Sequence, residues 1–159
     1  MPFQIAELPL LSGLIGICPL PGRGGAYEAD RSTLLRWSPD LVLSMTTAEE
    51  MAARGAGSLS ADLALHGIAW RHLPIPDFGT PPPATMALWP AAAAEARAIL
   101  SEGGRVLAHC MGGCGRSGMA LLRLMVEAGE PAEAALTRLR SVRPCAVETP
   151  DQLVWASTR

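Results

Sequence analysis

The sequence predicts an α/β fold, a single domain over residues 1–159 built on a mostly parallel central sheet of about four to five strands with helices on both faces. Three observations predict it. Short runs such as "GLIGIC" (13–18), "DLVLSM" (40–45) and "RVLAH" (105–109) are continuously apolar rather than alternating, as strands covered on both faces are. Stretches with helical patterning separate these runs. The 159 residues, 49% hydrophobic and 18% charged, suffice for a buried core, and no internal repeat or linker divides them.

Taken in order, "GLIGIC" is closed by the turn residues of "PLPGRGG", and residues 28–37 read as a helix. After the strand in 40–45, "TTAEEMAARG" (46–55) opens on a threonine cap with acids in its first turn and ends at glycine. "SLSADLALHG" (58–67) repeats that helix grammar, and "IAWRHLPI" (68–75) is a third strand. The prolines of "PIPDFGTPPPATMALWP" predict irregular chain over most of 74–90, before a helix in 91–104. A fourth strand (105–109) is followed by helices in 118–129 and 131–144, the second opened by Pro131. A short helix in "TPDQLVWAS" completes the series. The tryptophans at 37, 70, 89 and 155 are expected in the core.

A net charge of −2, with no block of like charges, gives no surface for nucleic acid or anionic membrane. No stretch has the roughly 18 apolar residues of a membrane span. The apolar "LPLLSGLIGIC" is preceded by Glu7 and by no basic region, and has bulky Ile17 where export cleavage needs small residues. Cysteines at 18, 110, 114 and 145 do not have the spacing of a small disulfide scaffold, so the expectation is a reducing, cytoplasmic location.

The informative stretch is "RVLAHCMGGCGRSGMALL" (105–122). A strand feeds a helix through a glycine-rich turn, which gathers backbone N–H groups at a helix N-terminus and so cradles an anion. Gly113, Gly115 and Gly118 spell a dinucleotide-binding G-x-G-x-x-G, but that reading needs an acid at a second strand end some 20 residues later. The residues there are "AALTRLRSV", helical and basic. The residues that pattern ignores fit other chemistry. Amides, a helix N-terminus and Arg116 around Cys110 favour the thiolate, a strong nucleophile. A guanidinium can fork onto two phosphoryl oxygens.

The string "HCMGGCGRSG" resembles the His-Cys-x5-Arg-Ser/Thr signature of the cysteine-dependent protein tyrosine phosphatase superfamily. The order of "ICPLPGR", "HLPIPDFGTP" and "RPCAVETPDQLVW" is similar to that in compact dual-specificity phosphatases, the kinase-associated group and its bacterial relatives in particular. The resemblance implies a phosphotyrosine-phosphatase-like fold and a phosphomonoester hydrolase with no metal and no cofactor. It implies Cys110 as nucleophile, and a phosphate-binding loop of Met111, Gly112, Gly113, Cys114, Gly115 and Arg116. Asp77, on a proline-stiffened loop, is the implied general acid and base, and Ser117 the hydrogen-bonder that eases departure of sulfur.

His109 is expected to support the loop rather than act as base. Gln152 has two readings, a residue that places water and the third residue of a capped helix start. Arg143 and Glu148 either support the site or belong to the surface. Cys114 is either a small residue with room or the partner of a reversible disulfide with Cys110. The expected substrate is a phosphorylated protein, on phosphotyrosine or phosphoserine/threonine, because the loop carries no lysine for polyphosphorylated ligands. A small phosphorylated metabolite or inositol phosphate is the alternative. A non-catalytic phosphoprotein-binding module would need neither Cys110 nor Asp77, and against a thiol reductase or sulfurtransferase stands the arginine at the sixth position after the cysteine together with a separate acid loop.

Overall fold

The computed structural model describes residues 2–158. Five strands form one sheet: β1 (Ala6–Leu10), β2 (Gly13–Cys18), β3 (Leu41–Ser44), β4 (Ala69–His72) and β5 (Arg105–His109), in the order β1-β2-β5-β3-β4. Strand β1 runs antiparallel to β2, and the other pairings are parallel. The helices are α1 (Tyr27–Trp37), α2 (Ala48–Ala53), α3 (Leu59–Leu65), α4 (Pro83–Ser101), α5 (Gly115–Glu127), α6 (Ala132–Val142) and α7 (Pro150–Ala156).

The unbroken apolar runs have the physical cause expected of them. Ile15, Ile17, Val106, Ala108, Leu41 and Leu43 enter a core shared with α4, α5 and α6. Cys18, Leu107 and Val42 point to the opposite face and pack with Leu34, Trp37, Leu59 and Leu63. Successive residues of one strand therefore fill different cores. Gly16 is small because the ring of Trp37 lies where a side chain would be, 2.9 Å from a built Cβ.

Two segments depart from the expectation. The chain just before 13–18 forms strand β1, joined to β2 by a turn in which Leu11 has φ 52°. Glu7 accepts a hydrogen bond from Trp37 Nε1 at 3.0 Å, so its charge is part of the fold. Helix α4 begins at Pro83, not near residue 91, and runs through Pro90. Prolines 82 and 83 occupy the N-cap and first turn, where a backbone N–H has no intrahelical partner to lose. Packing of Trp89, Ala92, Ala93 and Ala96 in the core then holds the helix across Pro90.

Strand β5 lies at the middle of the sheet, between β2 and β3. Its carboxyl end and the start of α5 meet over residues 110–114. Every residue of α5 from Gly115 to Val126 is buried, so the loop is carried on an internal helix. Burial of its large apolar side chains contributes about 1.5–3 kcal/mol each, which fixes the platform beneath the loop.

Candidate active site

The loop 110–116 is shaped by where its carbonyls go. Met111 O accepts from Leu20 N at 3.1 Å, and Cys114 O from Gly118 N at 2.9 Å and Val147 N at 3.2 Å. Arg143 donates from Nη2 to Gly112 O and from Nε to Gly113 O, both at 2.8 Å. No peptide bond is cis among the described residues. In a planar trans peptide, C=O and the following N–H point in opposite directions. Four successive carbonyls tied outward therefore turn the N–H groups of residues 112–115 inward. Gly113 has φ 73° and packs its α-carbon against the backbone of Cys18 and Pro19, an approach open to glycine alone.

Cys110 is 3% exposed, and a hydrogen bond of 3.1 Å joins its Sγ to Ser117 Oγ. Arg116 is buried, with 1% of its surface exposed. Its Nη1 and Nη2 donate to Glu50 Oε1 and Oε2 at 2.7 and 2.9 Å, and Nη1 also reaches Ile75 O at 2.8 Å. Nη2 lies 3.3 Å from Asp77 Oδ1. With Glu50 on the outer end of the guanidinium and Asp77 near Nη2, the side edge formed by Nε and Nη2 keeps one donor uncommitted, Nε. Nε has no hydrogen-bond partner among the described residues. The two donors of a guanidinium side edge match two oxygens of a phosphoryl group.

Glu50 was not among the residues expected at the site. Its sequence signal is Thr47-x-x-Glu50, a capping box whose glutamate reaches back to Thr47 N at 3.0 Å and then also meets Arg116. Hydrogen bonding to Arg116 holds its carboxyl down at about 2, against partial desolvation and with help from the Thr47 N–H.

His109 is fully buried and takes part in a chain of hydrogen bonds. Trp70 Nε1 donates to Ser44 Oγ at 2.7 Å, which leaves the Ser44 hydroxyl to donate to His109 Nε2. Nδ1 then faces Cys110 O at 3.4 Å as the N–H donor. Burial pushes this imidazole down to about 4, so it is neutral and acts as a rigid spacer between β3 and the start of the loop. The other free thiol, Cys18, is raised first by its burial and then by the charge of Cys110.

Asp77 is half exposed on the loop between β4 and α4, where its Oδ1 accepts from Phe78 N at 3.0 Å. Phe78 has φ 61° and Gly79 N bonds back to Pro76 O at 2.8 Å, which makes a tight turn. Gln152 is fully buried. Its Oε1 accepts from Glu148 N and Thr149 N at 2.9 and 3.2 Å, and its Nε2 donates to Gly79 O at 3.1 Å. The capped helix start is thus present, and the same carboxamide fastens the Asp77 loop to the segment that follows α6. A cavity of ≈ 250 Å³ opens between Asp77, Phe78, Met111, Gly112, Cys114 and Glu148.

The structure therefore gathers Cys110, Arg116, Ser117, Asp77, His109 and Gln152 around one loop. Arg143 supports that loop, and Glu148 lines its cavity. Cys114 is a correction: it forms a disulfide with Cys145, Cα–Cα 5.1 Å, and not with Cys110. The reason is direction, since Cys110 Sγ turns toward Ser117 at the helix start while Cys114 faces the chain after α6. Among the described residues, no group of three or more His, Cys, Asp or Glu side chains is arranged to hold a metal ion.

Comparison with known proteins agrees with this geometry. Residues 41–130 match the family described as polymorphic toxin system, DSP-PTPase phosphatase, and the chain belongs to this family of cysteine-based phosphatases. Cyclin-dependent kinase inhibitor 3 of Mus musculus is 31% identical over 153 residues, 89% of this chain and 71% of its own length. The kinase associated phosphatase (KAP), solved with serine in place of its catalytic-site cysteine, superposes with a TM-score of 0.84 at 25% identity over 98% of this chain and 93% of that one. Tk-PTP in its active form gives 0.68 at 27% identity over 89% and 87%.

Proposed function

We propose that residues 1–159 act as one catalytic domain that hydrolyses phosphomonoesters on phosphorylated proteins through a phosphocysteine intermediate, with the Cys-x5-Arg loop as its centre. The observation that carries this reading is the Cys110 Sγ–Ser117 Oγ hydrogen bond and the unpartnered Nε of Arg116 on a loop whose carbonyls face outward. Sulfur attacks phosphorus, so that an S–P bond forms as the ester P–O bond breaks, and Asp77 gives its proton to the departing oxygen. The inward amides and Arg116 hold the equatorial oxygens, where the transition state carries its charge. Water then loses a proton to Asp77 and displaces the sulfur, which Ser117 stabilises as it leaves.

His109 and Gln152 serve as positioning residues in this scheme. His109 fixes the entry to the loop, and Gln152, with both ends of its carboxamide committed, holds the Asp77 loop at its working distance. A protein substrate is supported by the likeness to the kinase associated phosphatase. No helix among the described residues is long and apolar enough to cross a membrane. In the cytoplasmic location read from the sequence, cellular thiols would keep the Cys114–Cys145 bond transient.

The test is hydrolysis of aryl phosphates with leaving groups of graded basicity. Cys110→Ser is expected to abolish turnover. Asp77→Asn is expected to lose more activity the more basic the leaving group, and a loss equal for all of them would remove Asp77 as the acid.

A further inference from the structure

The turn after β2 brings a cation to the mouth of the cavity that neither the signature loop nor the Asp77 loop supplies. It is tied down on several sides. Leu20 N donates to Met111 O, Arg23 N to Leu20 O at 3.0 Å, and Gly22 N to Asp30 Oδ2 at 2.9 Å. Arg54 Nη1 donates to Arg23 O at 3.0 Å. The backbone around Arg23 is thereby fixed to the phosphate loop itself, although its side chain is exposed.

From a Cβ built on Gly112, Nη1, Cζ and Nη2 of Arg23 lie at 3.8, 3.9 and 4.0 Å. Near-equal distances mean that the glycine sits over the flat face of the guanidinium. The N–H bonds lie in the guanidinium plane, so they project sideways from that contact and stay free to donate. Among the described residues Arg23 makes no ion pair. It lines both the site cavity and a second one of ≈ 550 Å³ beside it, with Pro19, Leu20, Asp30 and Arg143. Asp77 and Glu148 are the acidic side chains elsewhere on the rim of the site cavity. The second cavity has two guanidinium groups against the single carboxylate of Asp30, which is already engaged by Gly22 N.

We infer that Arg23 is a specificity-determining residue that binds a second anionic group on the substrate, a carboxylate or phosphate next to the phosphoryl group being removed. The inference rests on the phosphatase reading above and narrows its substrate to phosphorylated segments with acidic or phosphorylated neighbours. The signature loop carries no lysine, and Arg23 provides the additional cation from another part of the chain.

The experiment uses phosphotyrosine and phosphothreonine peptides of neutral sequence. One position at a time, on either side of the phosphoresidue, receives Glu, Gln or phosphoserine. Wild type is expected to prefer the Glu or the phosphoserine peptide over Gln by about three- to tenfold in kcat/KM, through KM, with the preference shrinking as salt is added. Comparing the Glu and phosphoserine arms identifies which anion is read. Rates of each variant are normalised to its own aryl phosphate hydrolysis. Arg23→Gln is expected to flatten the preference, Arg23→Lys to restore part of it, and Arg23→Glu to reverse it. A wild type that cleaves aryl phosphate without any such preference overturns the inference alone, as does a preference that survives in Arg23→Gln. A wild type inert toward aryl phosphate overturns the phosphatase reading and this inference together.

Discussion

Glu50 and Arg116 face each other fork to fork, 66 positions apart in sequence and 2.7 and 2.9 Å apart in space. The pair fixes which end of the guanidinium is spent on the protein, and Nε remains without a partner. A buried arginine stripped of such a partner keeps its charge and loses its orientation. Glu50→Gln is expected to lower kcat/KM for aryl phosphates about 10- to 100-fold while Cys110 remains reactive to alkylation. Unchanged kinetics would show that Ile75 O and Asp77 suffice to aim Arg116.

The same carboxylate sets an acid limit on stability. Its value of about 2 in the fold lies below the ordinary 4.5, so its contribution is complete above about pH 4.5 and disappears as the pH falls through 2. Denaturant midpoints measured across that window should fall more steeply for wild type than for Glu50→Gln. Parallel curves would deny Glu50 this part in acid unfolding.

His109 acts over a different range. Buried neutral at about 4 against 6.5 when unfolded, it makes the unfolded chain the better proton binder between those values. Stability is therefore unaffected above about pH 6.5 and declines as the pH is lowered toward 4, by at most about 1.4 kcal/mol for each pH unit. His109→Gln should lower overall stability through loss of the Ser44 contact yet flatten the curve between pH 6.5 and 4. A variant curve with the wild-type slope would assign that slope to other groups.

Arg143 is tested through the loop it supports. Arg143→Ala leaves the carbonyls of Gly112 and Gly113 without their donors, which should reduce unfolding free energy by about 1–3 kcal/mol. It should also weaken competitive inhibition by inorganic phosphate, because peptide planes freed to rotate no longer hold their amides inward. Lower stability with unaltered phosphate inhibition would confine Arg143 to the fold.

What could be read in the sequence follows the range of the interactions involved. Cys110, Arg116 and Ser117 lie within eight residues, between a strand and a helix that both have strong local patterns. Asp77 stood out because prolines and glycine flank it. Glu50 was hidden in plain helix-cap chemistry, since Thr47 and Glu50 explain each other locally and nothing nearby signals a guanidinium. Ser44 and Arg23 depend on strand register and loop packing across the whole chain, which no short pattern encodes, and the same packing decides between the two roles the sequence left open for Arg143. The prolines of residues 81–83 were read as helix breakers, and one of them begins a helix instead.

The bond between Cys114 and Cys145, with a sequence separation of 31, closes a covalent ring around α5 and α6. The bend between the two helices, at exposed Gly129, is a natural entry for a protease. A nick there leaves the two fragments in one piece, the stretch bearing Gln152 still shackled to the turn that follows Cys110. Only a second, chemical event at sulfur lets them part, so cleavage and reduction become an ordered pair of locks on a single gate.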